Sequence, residues 1–132
     1  MKDVLIPVSA GELLDKITIL RIKAARITEA QKLANVRLEL GLLEKTWTEL
    51  GGATTELTAE EHALQNVNER LWDIEDRLRD KEARQLFDRE FIDLARAVYV
   101  TNDERAAIKK RINLHLGSRL VEEKSYTTYQ ND

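Results

Sequence analysis

The stretch AQKLANVRLELGLLEKTWTEL, residues 30–50, decides the fold. Its apolar side chains return at alternating steps of three and four residues, which is heptad register. They are Leu33, Val36, Leu40, Leu43, Trp47 and Leu50. This spacing is typical of a helix that packs one apolar face against another helix. Gly51 and Gly52 follow, and they predict the end of the helix because glycine adopts a left-handed conformation without strain.

The same spacing on either side of this stretch predicts three more helices. Ser9, Thr28 and Thr58 each have a glutamate or glutamine three residues later, which is the capping-box pattern of a helix start. Asp88 suits the N-cap of the last helix. The apolar positions are Leu13, Ile17, Leu20, Ala24 and Ile27 in the first helix, Leu64, Val67, Leu71, Ile74 and Leu78 in the third, and Phe91, Leu94, Ala95, Val98, Ile108, Ile112 and Leu116 in the last.

These patterns predict an all-α fold, an antiparallel bundle of about four helices in a single domain over residues 1–132. The second and third helices are expected to form a long antiparallel hairpin. Residues 1–8, which surround Pro7, are expected to be an extended lead-in, and residues 118–132, named here the tail, follow the last helix. The last helix could break near Thr101, where a new cap is possible, but its apolar phase continues without a shift and favours one helix.

Composition excludes several classes of protein. Hydrophobic residues make up 42% of the chain and charged residues 34%, with a net charge of -3 from interspersed acids and bases. That balance gives no general attraction to nucleic acid. The chain has no cysteine, so disulfides and thiolate metal sites are excluded. No apolar run near the start approaches the roughly 20 residues of a membrane span, and a cytoplasmic location is expected.

Motifs for common cofactors and catalytic centres are absent from the sequence. There is no phosphate-binding loop, GxGxxG fingerprint or GxSxG elbow. His62 and His115 have neither a carboxylate nor a second histidine at metal-ligand spacing. The sequence therefore predicts no metal and no cofactor, and it identifies no catalytic residue.

Polar residues at positions where the helical period calls for apolar ones are the most informative feature. In the last helix, Arg105 lies on two apolar lines at once. Because burying a guanidinium without an acceptor costs several kcal/mol, on the order of a lost buried ion pair, Arg105 is expected to have a carboxylate partner inside the bundle. Glu75 is the first candidate and Asp15 the second. On the third helix Asn68, Trp72, Glu75 and Arg79 form a strip beside the apolar face.

Tyr99, Asn102 and Lys109 extend this polar strip along the last helix. One interpretation is a structural network that fixes the register of the helices. The alternative is a pocket for a small anionic ligand. The candidate ligand-binding residues are Arg105, Lys109, Glu75, Asn102, Tyr99 and Asp15.

Three blocks, VSAGELLDKITIL at 8–20, LWDIED at 71–76 and LVEEKSY at 120–126, are similar to blocks of a family of short bacterial all-helical proteins of unknown function. The resemblance covers nearly the whole chain. It implies no activity, because the family has none assigned. It also suggests that the first and last blocks, at opposite ends of the chain, meet in space.

The function that these observations favour is a non-catalytic interaction or accessory module. A homodimer is expected, since heptad faces and two tryptophans on long helices in a small chain usually find a partner, and a different protein partner is possible. The alternative is a small enzyme or sensor that binds an anionic metabolite in the bundle. The sequence leans away from an enzyme but does not decide the question.

Overall fold

The computed structural model describes residues 1–51 and 55–130. Four α-helices make up most of these residues, which contain no strand, so the predicted all-α bundle is confirmed. The helices are α1 (Ala10–Arg26), α2 (Ala30–Glu49), α3 (Thr58–Ala83) and α4 (Arg89–His115). A single 3-10 turn, Thr55–Leu57, leads into α3.

Two of the four predicted helix starts have the expected cap. The Ser9 hydroxyl oxygen accepts a hydrogen bond from the backbone N–H of Glu12 (3.1 Å), and the Asp88 carboxylate accepts one from Phe91 (3.0 Å). The predicted capping box at Thr28 is wrong, since Glu29 occupies the N-cap position of α2 and its side chain forms no capping hydrogen bond. At the third start Leu57 takes the cap position, and Thr58 is the first residue of the helix. Gly51, with φ 73°, follows α2 as predicted, while Gly52 lies outside the described residues.

The last helix runs without a break through Thr101. Thr101 itself is buried, and the later apolar positions Ile108 and Ile112 are buried on the same side of α4. Packing of this side outweighs the poor helix propensity of the β-branched residues that precede Thr101. The continuous helix that the apolar phase favoured is therefore confirmed.

The hairpins differ from the predicted pairing. The expected hairpin of the second and third helices is wrong, since α2 packs mainly on α1 and α3 packs on α4. The links explain the pairing: only residues 27–29 join α1 to α2, and residues 84–88 join α3 to α4, so each pair must fold back on itself. The α3–α4 hairpin is about 40 Å long at the α-helical rise. α1 packs against both of its helices.

The apolar core lies where α1 meets the α3–α4 hairpin and the C-terminal end of α2. Its buried members are Leu13, Leu14, Ile17, Trp47, Leu57, Leu64, Val67, Ile108 and Ile112. Trp47 anchors α2 to this core, whereas Leu50 is 66% exposed and the earlier heptad positions of α2 are half-buried. α2 is thus a peripheral helix, and α1 is the element that positions polar side chains between α3 and α4.

Within the described residues, none of the helices has both the length and the apolar character that crossing a membrane requires.

Candidate functional site

Lys109 lies at the centre of a polar cluster where α1, α4 and the tail meet. Its ammonium nitrogen is 2.7 Å from a carboxylate oxygen of Glu12, 3.0 Å from one of Glu122 and 3.8 Å from one of Asp15. The Lys109 residue is 5% exposed. These four residues are named the lysine cluster. Glu12 and Glu122 belong to the first and last sequence blocks, so the expected meeting of those blocks is confirmed.

The electrostatics of the lysine cluster keep Lys109 charged. Burial alone lowers the pKa of Lys109, but hydrogen bonds to Glu12 and Glu122 and the nearby charge of Asp15 outweigh burial, so its pKa is raised. The hydrogen bond from Lys109 in turn lowers the pKa of Glu122. The tail is therefore attached to the bundle by a charge-assisted hydrogen bond.

Asp15 is held from its other side by side chains of α1 and α3. Asn68 donates one hydrogen bond to the Asp15 carboxylate (2.9 Å) and one to the Thr18 hydroxyl (3.0 Å). Thr18 in turn donates to the backbone carbonyl of Asp15 (2.8 Å). Each of these groups has a protein partner, which matches the structural interpretation of Lys109 and Asp15 as a network that fixes helix register.

Close contact between α1 and α4 completes this junction. The backbone N–H of Gly11 donates a hydrogen bond to the side-chain oxygen of Asn113 (2.7 Å). A Cβ at Gly11 would lie 2.5 Å from the backbone oxygen of Lys109 and 2.9 Å from the Asn113 oxygen. Only glycine fits this approach, and it is what brings Glu12 and Asp15 within reach of Lys109.

An open cavity of about 530 Å³ lies beside the lysine cluster, between the C-terminal half of α1 and the α3–α4 hairpin. We name it the arginine cleft. Its walls combine apolar side chains, amides and charges, and the lining residues are Ile19, Ile22, Asn68, Leu71, Trp72, Glu75, Asp76, Arg79, Asn102 and Arg105. The strip predicted on the third helix, from Asn68 to Arg79, lines this cleft in full.

Arg105 is half-buried in the cleft wall. Among the described residues it forms neither a hydrogen bond nor an ion pair with another side chain. The expected Arg105–Glu75 pair is wrong, because Glu75 instead pairs with Arg79 one turn away on α3, a partner it reaches without crossing the cleft. The second expected partner, Asp15, is also wrong, since Asp15 is bound within the lysine cluster.

A second cavity of about 510 Å³ lies between α4 and the tail, and we name it the tail pocket. Tyr99 and Tyr129 meet edge to face in its wall, with ring centroids 5.0 Å apart. The Tyr129 hydroxyl donates a hydrogen bond to the Asp103 carboxylate, which raises the pKa of Tyr129 to about 12. Asn102 lines both this pocket and the arginine cleft.

Comparison with known proteins places the chain in a family. The family model DUF6165, a family of unknown function, matches residues 4–131. The chain belongs to this family. No curated protein and no solved structure shows significant similarity to it. The expected membership of a family without an assigned function is thereby confirmed, and any activity of this DUF6165 protein has to be argued from its own residues.

The DUF6165 chain distributes the six candidate ligand-binding residues over three places. Arg105, Glu75 and Asn102 share the arginine cleft. Tyr99 lies in the tail pocket, and Lys109 and Asp15 form part of the lysine cluster. The sequence predicted one polar pocket, whereas the structure divides its residues between one closed network, the lysine cluster, and two open cavities.

Glu122 was not among the candidate residues predicted from the sequence, although its place in the block LVEEKSY was a signal that the tail docks. Trp72, which the sequence placed on the strip of the third helix, is half-buried and lines the arginine cleft, and the guanidinium carbon of Arg26 lies 5.7 Å from the centroid of its ring. Within the described part of the chain no group of three or more histidine, aspartate or glutamate side chains is arranged so that it could hold a metal ion.

Proposed function

We propose that this DUF6165 protein is a non-catalytic binding module that holds a small acidic molecule in the arginine cleft. The observation that carries the proposal is Arg105. The Arg105 residue is half-buried and borders an open cavity of about 530 Å³. Its guanidinium forms no hydrogen bond or ion pair with the described residues and interacts with the charge of Glu122 only at longer range. The acidic group of the ligand is a carboxylate or a phosphate, either of which matches the planar fork of arginine.

The walls of the cleft supply contacts for the rest of such a molecule. The Asn102 amide, three residues before Arg105 on α4, can donate or accept a hydrogen bond. Trp72 and Ile19 offer apolar surface on the opposite walls. The volume lies within the roughly 300–1,000 Å³ of small-molecule sites, so the cleft is large enough for a metabolite rather than a single ion.

The residue types in the cleft favour binding over catalysis. The described lining residues include no serine, cysteine, histidine or lysine, so the carboxylates of Glu75 and Asp76 are the only lining groups of the usual catalytic types. Of the two carboxylates, Glu75 is engaged by Arg79. The proposal therefore assigns recognition of an acid and no covalent step.

The test is a binding titration with succinate and with inorganic phosphate, followed through tryptophan fluorescence because Trp72 lines the cleft. Arg105→Gln should weaken binding about tenfold or more, since a hydrogen bond to a charged group contributes roughly 1.5–3 kcal/mol. Arg111→Gln is the matched control, because it removes the same charge from the same helix at an exposed residue paired with Glu60. Asp76→Asn should tighten binding, since it removes a negative charge from the cleft. Equal effects of the two arginine substitutions, or no saturable binding of either acid, would refute the proposal.

A second proposal is that α2 mediates a homodimer. Leu38 and Leu42 lie one turn apart on α2 and are 68% and 50% exposed, beside heptad positions that are only half-buried. A second copy of α2 could cover both in a twofold symmetric contact. Sedimentation should show a dimer that the double substitution Leu38→Glu and Leu42→Glu converts to a monomer, whereas Leu114→Glu, at a leucine 67% exposed on α4, leaves the dimer intact. A monomeric wild-type protein at micromolar concentration would exclude this interface.

A further inference from the structure

The tail is fixed to α4 at two points, and the tail pocket opens between them. Glu122 binds Lys109 at one point, and Tyr129 binds Asp103 and packs on the ring of Tyr99 at the other. Between these points the tail contributes polar and aromatic side chains to the pocket wall. They are Lys124, Tyr126 and Thr127.

The tail pocket and the arginine cleft lie next to each other on one side of α4. Tyr99, Asn102 and Arg105 follow each other at steps of three residues, so each is rotated by about 60° around α4 from the one before, and Asn102 lies between the other two. Asn102 is the shared wall. At the helical rise, the backbone positions of Tyr99 and Arg105 are about 9 Å apart.

Three tyrosines, Tyr99, Tyr126 and Tyr129, line the tail pocket. Tyr126 is 82% exposed, and its ring forms no aromatic pair among the described residues. Tyr99 and Tyr129 already pair with each other. An aromatic group that enters the pocket would cover the exposed face of Tyr126 and meet the edge of the Tyr99 ring. Lys124 and Asp103 also line this pocket, so an ammonium and a carboxylate are available to polar substituents of such a ring.

We propose that the ligand is an acid that carries a flat aromatic ring, joined by a flexible chain long enough to span the roughly 9 Å of helical rise between Arg105 and Tyr99. This inference rests on the proposed function of the arginine cleft, which takes the acid at Arg105. The tail pocket takes the ring between Tyr126 and Tyr99, and Asn102 lies beneath the chain that joins the two parts. The tail thus completes a second subsite for the same molecule.

The experiment compares 6-phenylhexanoate, whose extended chain holds acid and ring at this separation, with hexanoate, which has the same acid and no ring. The wild-type protein should bind the phenyl compound about tenfold more tightly, because the ring buries apolar surface and adds an aromatic contact. Tyr126→Ser should remove most of this difference and leave hexanoate binding unchanged. Tyr126→Phe keeps the ring and should retain the difference. Tyr126 is exposed, so neither substitution disturbs the core.

The outcomes separate this inference from the proposed function. If Arg105→Gln weakens hexanoate binding but the phenyl compound gains nothing in the wild type, or its gain survives in Tyr126→Ser, the aromatic subsite is refuted and the acid site stands. If Arg105→Gln leaves hexanoate binding unchanged, the acid site is refuted, and the two-part ligand is refuted with it.

Discussion

Gly11 and Gly41 both lie inside helices, but their surroundings predict opposite effects for the same substitution to alanine. At Gly11 a new Cβ would lie 2.5 Å from the backbone oxygen of Lys109, and backbone cannot move aside as a flexible side chain can. At Gly41, in α2, nothing lies within 4 Å of the new Cβ. Gly41→Ala is therefore a matched control that adds the same methyl group in open space.

The magnitude at Gly11 follows from three contributions. Overpacking a close contact costs about 1–3 kcal/mol. Moving α1 away from α4 also weakens the 2.7 Å hydrogen bond from Gly11 to Asn113, which contributes about 0.5–1.5 kcal/mol. The higher helix propensity of alanine returns at most about 1 kcal/mol. Gly11→Ala should therefore lower the free energy of unfolding by roughly 0.5–4.5 kcal/mol, whereas Gly41→Ala should raise it by up to about 1 kcal/mol.

Urea unfolding followed by far-ultraviolet circular dichroism measures both changes. In thermal unfolding of a chain of 132 residues, each kcal/mol of stability corresponds to a shift in Tm of roughly 3–4 °C. The Gly11→Ala variant should also hold Glu12 less closely to Lys109. An additional Glu12→Gln substitution should therefore lower the free energy of unfolding by less in this variant than it does in the wild type. If Gly11→Ala proves as stable as Gly41→Ala, the close contact of α1 with α4 is not what positions the lysine cluster.

Three further predictions concern the charges around α4. Lys109→Met should lower the free energy of unfolding, measured with urea, by about 3 kcal/mol, because it leaves the buried Asp15 without its cation. The control Lys110→Met, at the exposed neighbouring residue, should change it by less than about 0.5 kcal/mol. The lowered pKa of Glu122 stabilises the fold above the unfolded pKa of this carboxyl, and that contribution is lost as the pH falls through the lower folded value. Urea unfolding against pH should therefore give a stability difference between wild type and Glu122→Gln at pH 7 that disappears in acid; a constant difference would contradict the contact. An ultraviolet titration should show one tyrosine ionising near pH 12, assigned to Tyr129, and Asp103→Asn should return that step toward the ordinary value of 10.0.

The helices could be predicted from the sequence because their signals are local. Ser9 and Asp88 cap neighbouring backbone groups, and the apolar phase of α4 continues through Thr101 within one element. The pairing of helices could not be predicted in this way. The heptad face of α2 indicates that it packs, but the same face fits α1 or α3, and the short link at residues 27–29 decides in favour of α1.

The candidate site was predictable only as a list of polar residues on the inner faces of helices. Asn68, Trp72, Glu75 and Arg79 line the arginine cleft at the spacing that the sequence indicated. What the spacing could not supply is which charge meets which across helices. The pairing of Glu75 with Arg79 satisfies a carboxylate locally, and no periodicity distinguishes that outcome from a contact with Arg105.

Arg105 and Lys109 lie one turn apart on α4, and they differ in the protein groups that contact them rather than in their position on the helix. Both cations fall on the inward side of the same helix. Lys109 is met by three carboxylates from α1 and the tail, so its charge is neutralised within the fold and it has little left to offer a ligand. Arg105 borders an open cavity and forms no hydrogen bond or ion pair with the described residues, and its interaction with the Glu122 charge is only a longer-range one. A half-buried guanidinium that contacts no carboxylate directly keeps its N–H donors available to an acid from outside. The lysine is thus the residue that joins the ends of the chain, and the arginine is the residue through which the DUF6165 bundle can recognise another molecule.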